Sequence, residues 1–134
     1  MPFWLFKQEP DCYSFDDLER DGETVWDGVT NALAQKHMRS IGTGDKVFFY
    51  HTGDEKAIVG VMRVIGDPMP NPENEKQVHV TVGPVKRLSR PVTLAEIKAD
   101  ESFADWELVR ISRLSVMPVS AAIWKKIELM AKKK

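Results

Sequence analysis

The sequence predicts an α+β domain built on a mixed, barrel-like β-sheet that is flanked by short helices. Strand-like and helix-like segments follow one another without the regular alternation that is typical of a parallel doubly wound sheet. The 134 residues fit one domain, spanning residues 1–134, that can bury a core without disulfides or metal. Apolar residues make up 43% of the chain and charged residues 29%, as in ordinary folded globular proteins.

The first twenty residues predict a strand followed by a short helix. Residues 3–6 form an apolar and aromatic run that must end before Pro10, which is typical of a strand. Ser14 then lies three residues before Asp17, which is close to a capping box. We therefore predict a helix from Ser14 to about Arg20.

The next segment predicts a second helix and a β-hairpin. Residues 26–29 have no regular pattern, and Asn31 is a suitable N-cap for a helix that runs through Ile41. Residues 46–52 and 57–65 are aromatic and β-branched runs separated by a Gly-Asp-Glu-Lys turn. Such a pair of runs is typical of a hairpin.

The second half of the chain predicts a loop, two strands and two helices. Three prolines, two asparagines and several charges mark residues 66–76 as a surface loop. Valines alternate with polar residues across residues 78–82, as in a half-buried strand. Thr93 begins a full capping box and so a short helix, residues 106–111 predict another strand, and a last helix follows Pro118.

Charge is unevenly distributed along the chain. The formal net charge is −1, which is unlike that of a strongly basic nucleic-acid binder. Residues 9–27 hold eight acidic residues and Arg20 alone, whereas residues 86–134 hold eleven basic residues against six acidic ones. The C-terminal part can therefore form a basic face that contacts a few phosphates.

The sequence predicts a cytoplasmic protein without metal or cofactor. No apolar run approaches the roughly 20 residues of a membrane helix, and residues 1–10 lack the layout of a signal peptide. The single cysteine, Cys12, excludes an internal disulfide and is expected to be a buried or half-buried thiol. The common enzyme signatures are absent, and the three histidines lie far apart in the sequence.

Several large aromatic residues lie beside polar ones, notably Trp26 beside Asp27 and Tyr50 beside His51. A nucleobase is held by stacking on flat side chains and by hydrogen bonds to its polar edge, so a base pocket needs both residue types. Spacing alone nevertheless favours the edge of the core over a binding site for such pairs.

Four stretches, in the same order along the chain, resemble the EVE domain family. They are residues 4–18 with Lys-Gln-Glu-Pro, residues 26–31 with Trp-Asp-Gly-Val-Thr-Asn, residues 44–52, and residues 110–119 with Arg-Ile-Ser-Arg-Leu-Ser-Val-Met-Pro. The resemblance implies a PUA-like pseudo-barrel. It also implies a non-catalytic reader of modified bases, such as 5-methylcytosine or 5-hydroxymethylcytosine, in DNA or RNA.

The resemblance and the aromatic clusters together give the candidate ligand-binding residues. We expect aromatic walls, polar groups that read the edge of the base, and cations for phosphate or acidic groups around one cavity. These residues are, in that order, Trp26 and Tyr50, then Asn31 and Ser112, then Lys7, Arg110 and Arg113, with His51 and Ser14 beside them. Thr30 stands where the family usually has arginine, which removes one cation from the expected set.

Two other functions remain open from the sequence. A PUA-like protein acting on transfer or ribosomal RNA shares the fold, and preference for RNA over DNA of equal sequence identifies it. An enzyme acting on modified nucleotides would use Asp27, Glu9 or His51 as proton carriers, and its turnover identifies it.

Overall fold

The protein combines a mixed β-sheet with short helices. The computed structural model describes residues 2–27, 29–72 and 74–132, apart from the side chains of residues 74–76, and within them there are six strands, five α-helices and one 3₁₀ turn. The strands are β1 (Phe3–Gln8), β2 (Thr24–Trp26), β3 (Lys46–His51), β4 (Ala57–Asn71), β5 (Asn74–Thr93) and β6 (Val116–Val119). The helices are α1 (Phe15–Asp21), α2 (Ala32–Arg39), α3 (Leu94–Lys98), α4 (Glu107–Arg110) and α5 (Ala121–Lys132), and the 3₁₀ turn is Glu101–Phe103.

The strands form one sheet in the order β2-β5-β4-β3-β1-β6. β1 runs parallel to β3, with Phe3 opposite Lys46 and Gln8 opposite His51, and antiparallel to β6. The other neighbouring pairs are antiparallel. A parallel pair needs a long crossover connection, which α1, β2 and α2 supply here. The predicted α+β class and mixed sheet are confirmed.

Aromatic side chains fill the core on both faces of the sheet. On one face the Phe49 ring lies edge-on to Trp26 and to Phe15, with centroids 5.4 and 5.6 Å apart. Gly60 allows this packing, because a Cβ there would lie 2.4 Å from the Phe15 ring. On the opposite face the Trp124 ring of α5 stacks on Phe48 at 3.7 Å. Alternation of side chains along β3 directs Phe48 and Phe49 to opposite faces.

The predicted starts of the first two helices are confirmed. The Ser14 hydroxyl accepts a hydrogen bond from the backbone N–H of Asp17, whose carboxylate accepts one from the N–H of Ser14. The Asn31 side chain caps α2 by accepting from the N–H of Ala34 at 3.0 Å. α2 ends at Arg39 rather than at Ile41. No helix in the described ranges is long and apolar enough to cross a membrane.

The prediction of a surface loop over residues 66–76 is wrong. β4 continues to Asn71 and β5 begins at Asn74, so the two strands form a paired arm here, with Met69 opposite His79 and Pro70 opposite Val78. Residue 73 lies outside the described residues. The register shifts between Gly66 and Met69, so Pro68 falls where the hydrogen-bonded ladder is already interrupted. A bulge of this kind tolerates a proline because no ladder N–H is required there.

Three further local predictions are corrected. The segment predicted as a strand, residues 106–111, instead contains α4 (Glu107–Arg110) with its two caps, because the Trp106 carbonyl accepts from the N–H groups of Val109 and Arg110. The sequence predicts no regular structure at Trp26, but this residue ends β2 opposite Val80. Cys12 is exposed, because a tight turn whose N–H groups bond the Glu9 carbonyl carries it away from the core.

A buried glutamine joins three segments of the chain. Gln35 of α2 is only 4% exposed. Its Nε2 donates to the carbonyls of Val29, at 2.7 Å, and Val78, at 3.3 Å, and its Oε1 accepts from the N–H of Val78 at 2.8 Å. The amide therefore connects α2, the segment after β2, and β5.

We predict that Gln35→Leu destabilises the protein. Leucine fills a similar volume but leaves the Val78 N–H and two carbonyls without their partner, and a buried unsatisfied group costs about 1–3 kcal/mol. Urea unfolding monitored by tryptophan fluorescence measures the loss, and Lys36→Gln on the exposed side of the same helix is the control. Equal unfolding midpoints for Gln35→Leu and the parent would show that the hydrogen bonds of the Gln35 amide do not stabilise the fold.

A carboxylate holds α3 to the end of β5. Glu96 accepts two hydrogen bonds from the Arg90 guanidinium, both at 2.8 Å, and one from the N–H of Thr93. The Arg90 guanidinium, followed by the Thr93 N–H, lowers the pKa of Glu96 from its ordinary 4.5 to about 2. Because the folded pKa is depressed, the carboxylate stabilises the fold above pH 4.5, and this stabilisation is lost as the pH falls towards 2.

We therefore predict that Glu96→Gln lowers thermal stability at pH 7 and flattens its decline between pH 4.5 and pH 2. The melting temperature across this range, followed by circular dichroism, measures the effect. Glu101→Gln, at an exposed glutamate nearby, provides the control. Parallel pH profiles for Glu96→Gln and the parent would contradict the role of Glu96.

Candidate functional site

The end of β1 separates a cavity on one face of the sheet from a cavity on the other. Lys7 and Gln8 are consecutive strand residues, so their side chains point to opposite faces. The tryptophan cavity, of about 190 Å³, is lined by Gln8, Tyr13, Thr24, Val25, Trp26 and Asp27. The lysine cavity, of about 240 Å³, is lined by Lys7, Lys56, Lys98, Tyr50 and Ser112 with the turn after β3 and apolar side chains of α3 and α4.

Two aromatic rings contribute to the tryptophan cavity. Trp26 is 4% exposed and packs on Phe6 and Phe49, with centroids 5.2 and 5.4 Å away, so the core fixes its orientation. Tyr13 is half-buried, and its hydroxyl donates to the Asp21 carboxylate at 2.9 Å. Burial raises the pKa of the Tyr13 phenol, which is therefore neutral and a hydrogen-bond donor at pH 7.

The same cavity offers an amide donor and a carboxylate acceptor that have no hydrogen-bond partner among the described residues. The Gln8 Oε1 accepts from the N–H of Glu9 at 3.0 Å, while its Nε2 amino group has no partner among the described residues. Asp27 is exposed, and no hydrogen bond joins its carboxylate to the described part of the chain. An amide donor and a carboxylate acceptor beside aromatic rings can bind a flat polar ring.

His51 and Ser14 support the tryptophan cavity without lining it. The His51 side chain is buried, and its Nε2 accepts from the N–H of Phe15 at 3.1 Å. Its Nδ1 therefore carries the proton and donates to Glu55 at 2.7 Å. Since Ser14 caps the same helix end, both residues fix the start of α1 and the turn that carries Tyr13.

The lysine cavity has a partly buried cation at its base. The Lys7 Nζ donates to the Ser112 carbonyl at 3.0 Å and lies 5.5 Å from the centre of the Tyr50 ring. Burial lowers the pKa of Lys7 and raises the pKa of Tyr50 to about 12. Tyr50 therefore remains a neutral phenol at pH 7, and it lies directly opposite Lys7 in the β1–β3 register.

The predicted ligand-binding residues do not all line one of these two cavities. Trp26 and Tyr50 lie on opposite faces of the sheet, and of the remaining set only Lys7 and Ser112 join Tyr50.

Asn31 uses its side chain as the cap of α2. Arg110 is exposed and donates to the Asp105 carbonyl at 2.7 Å, and Arg113 is also exposed; neither lines the two cavities.

Sequence reasoning missed several residues that line these cavities. They are Gln8, Tyr13, Thr24 and Val25 in the tryptophan cavity, and Lys56 and Lys98 in the lysine cavity. Period-two alternation at the end of β1 was the available signal for Gln8, because it places Gln8 on the Trp26 face. Lys98 had no such signal, since only the packing of α3 brings it to Lys7. Over the described ranges, no group of three or more His, Cys, Asp or Glu side chains lies close enough to hold a metal ion.

Known proteins are similar to this chain in sequence and in structure. Human thymocyte nuclear protein 1 is 30% identical over 124 residues, covering 72% of this chain and 55% of its own length, so the chain spans about half of that relative. The NMR structure of Rpa0253 from Rhodopseudomonas palustris is 39% identical, with a TM-score of 0.93, covering 98% of this chain and 93% of that one.

A crystal structure of the human THYN1 protein in complex with 5-methylcytosine-containing DNA has a TM-score of 0.93 at 25% identity. It covers 100% of this chain and 99% of that one. The sequence model of the EVE domain matches residues 2–130. Because that match spans nearly the whole chain and the solved relatives share its mixed sheet, the protein belongs to the EVE domain family and has its PUA-like fold.

Proposed function

We propose that this protein is a non-catalytic binding module that accepts a modified cytosine of a nucleic-acid strand in the tryptophan cavity. The observation that carries the proposal is that Trp26 and Tyr13 line one cavity with an amide donor, Gln8, and a carboxylate acceptor, Asp27, neither of them bonded at that group to another described residue. The complex of human THYN1 with 5-methylcytosine-containing DNA supports the choice of base.

The polar edge of cytosine matches these two groups. Its exocyclic amino group donates, and carboxylates are its usual side-chain partners, so Asp27 accepts from it. Its ring nitrogen and carbonyl oxygen accept, so the free Nε2 of Gln8 donates to one of them. Trp26 and Tyr13 supply the flat surfaces beside the ring.

The substituent at C5 needs an apolar neighbour. Val25 lines the same cavity and is 47% exposed, which is unusual for a valine next to the core. A methyl group on C5 gains contact with this side chain and removes apolar surface from water. A hydroxymethyl group adds a hydroxyl, for which the Thr24 side chain is a neighbouring partner.

The cavity size favours a single base. Its volume of about 190 Å³ is below the roughly 300–1,000 Å³ of sites for drug-sized ligands. A base inside a duplex must leave the stack to enter such a cavity, at a cost of a few kcal/mol, whereas a base in a single strand is already accessible. We therefore expect tighter binding to single strands or mismatched positions than to a fully paired duplex.

The hydrogen bonds of His51 favour binding over catalysis. A proton carrier must reach the substrate, but both ring nitrogens of His51 are engaged, with Phe15 and Glu55, and the ring is 6% exposed. Incubation of the protein with 5-methylcytidine and methylated oligonucleotides, analysed by mass spectrometry, should return them unchanged. Any product that forms only in the presence of the protein would contradict a purely binding role.

We predict that Gln8→Ala weakens binding to a 5-methylcytosine strand by about fivefold and that Asp27→Ala weakens it by more than about tenfold. The larger effect at Asp27 follows because hydrogen bonds to charged groups contribute about 1.5–3 kcal/mol and neutral ones about 0.5–1.5 kcal/mol. Fluorescence anisotropy with labelled single strands measures both. Glu23→Ala, which removes an exposed carboxylate close to the cavity in sequence, is the matched control.

The same titrations include unmodified strands and RNA of equal sequence. The proposal requires tighter binding to the methylated strand than to the unmodified one. Equal affinity for both strands in the parent, or unchanged affinity in Asp27→Ala, would exclude the tryptophan cavity as a reader. Stronger binding to RNA would assign the strand as RNA, since only a contact with the 2′-hydroxyl separates the two backbones.

We also predict that Val25→Ala reduces the preference for 5-methylcytosine over cytosine by up to about fourfold, since one buried methylene is worth about 0.8 kcal/mol. Affinity for the unmodified strand should stay the same. Val85→Ala is a close control, because Val85 is also 47% exposed but lies outside the cavity. An unchanged preference in Val25→Ala would separate methyl recognition from this side chain.

A further inference from the structure

The lysine cavity gathers three ammonium groups. Lys7, Lys56 and Lys98 line it, and in the described part of the chain none of them forms an ion pair with a carboxylate. Five other cations in the same ranges form ion pairs with carboxylates. These are Arg20, Lys86, Arg87, Arg90 and Lys126.

Lys7 carries this charge into a partly desolvated position. An ammonium group has three N–H donors, and Lys7 uses one of them on the Ser112 carbonyl. The same ammonium group lies over the face of the Tyr50 ring, 5.5 Å from its centre. Removing a cation from water without an anion nearby is unfavourable, and burial accordingly lowers the pKa of Lys7. An anion bound at this place would offset that cost.

The turn after β3 holds Lys56 at the mouth of the cavity. Lys56 has a φ of 45°, in the left-handed region, and its carbonyl accepts from the N–H of Leu94 at 2.8 Å. This bond fixes the turn against α3, the helix that ends with Lys98. Lys56 and Lys98 also line an adjoining groove together with Asp54 and Glu55, and Glu55 is bound to His51.

The walls of the cavity suit a phosphate group. Thr52 and Ser112 add hydroxyl groups to the three ammonium groups. The side chains of Leu94 and Leu108 exclude water from one side, and a lower local dielectric strengthens each contact between an ammonium and an anion.

We infer that the lysine cavity binds a phosphate group of the strand whose base enters the tryptophan cavity. The source of the phosphate rests on the proposed function. Lys7 and Gln8 are consecutive in β1, with Cα atoms about 3.8 Å apart and side chains on opposite faces. A strand that crosses the end of β1 therefore presents its base to Gln8 and an adjacent phosphate to Lys7.

The salt dependence of binding tests this inference. Lys7→Met, Lys56→Asn and Lys98→Gln each remove one cation, and asparagine tolerates the left-handed backbone of Lys56. Each variant should lower the affinity for methylated and for unmodified strands by the same factor. Each should also reduce the slope of log affinity against log salt by about 0.7, the value for one phosphate contact on a single strand. Lys125→Gln, at an exposed lysine of α5 outside the cavity, should change neither quantity.

NMR titrations identify the source of the phosphate. Inorganic phosphate and 5-methylcytidine 5′-monophosphate should shift the amide signals of Thr52, Gly53 and Ser112 in the parent but not in Lys7→Met. The nucleoside 5-methylcytidine should shift only signals around the tryptophan cavity. A different result would be that inorganic phosphate shifts these amide signals while the salt slopes stay unchanged in all three lysine variants. That result would overturn the strand as the source of the phosphate and would assign a free phosphate ligand to the cavity.

The outcomes separate this inference from the proposed function. Unchanged slopes and no amide shifts would overturn the lysine cavity as a phosphate site, even if the methylated base is still preferred. Loss of the preference for the methylated base, with lysine-dependent slopes intact, would overturn only the tryptophan cavity as a base reader. A folded Lys7→Met variant is verified by an unchanged circular dichroism spectrum and melting temperature.

Discussion

The position of β1 between β3 and β6 is the constraint on which both cavities depend. Hydrogen bonds on either side hold the strand in a single register, parallel to β3 and antiparallel to β6. A slip by one residue would exchange the faces of Lys7 and Gln8 and would also drive Phe6 out of the core. The separation of a polar aromatic cavity from a cationic one therefore follows from the pairing of a single central strand.

Buried polar side chains then fix the segments around this strand. His51 ties the start of α1 to the end of β3, and Gln35 ties the segment after β2 to β5. Both use their hydrogen-bonding groups inside the protein, so they orient the walls of the tryptophan cavity. Under the proposed function, the ligand contacts fall to Gln8 and Asp27. A polar residue inside a family motif is thus as easily a support for a site as a contact within it.

Much of the local structure could be predicted, because its signals are local. The capping residues Ser14, Asn31 and Thr93 identify helix starts through hydrogen bonds to groups three residues away. The assembly of the site was harder, since Trp26 and Tyr50 come from strands whose faces are related only through the order of the whole sheet. The prolines of the β4–β5 arm misled for a related reason, because a register shift accommodates them and only the paired strand reveals it.

The net charge of −1 concealed a local positive site for a physical reason. Much of the acidic charge around α1 is internally paired: Arg20 bonds Asp17 and Asp21, and Arg87 bridges from β5 to Asp16 and Glu19. By contrast, Lys7, Lys56 and Lys98 of the lysine cavity form no ion pair with a carboxylate of the described residues. A protein with little overall charge binds phosphates weakly at random, because non-specific affinity comes almost entirely from electrostatic contacts. Under the proposed function, a strand is retained only where base and phosphate contacts are made together, which raises specificity without high overall affinity.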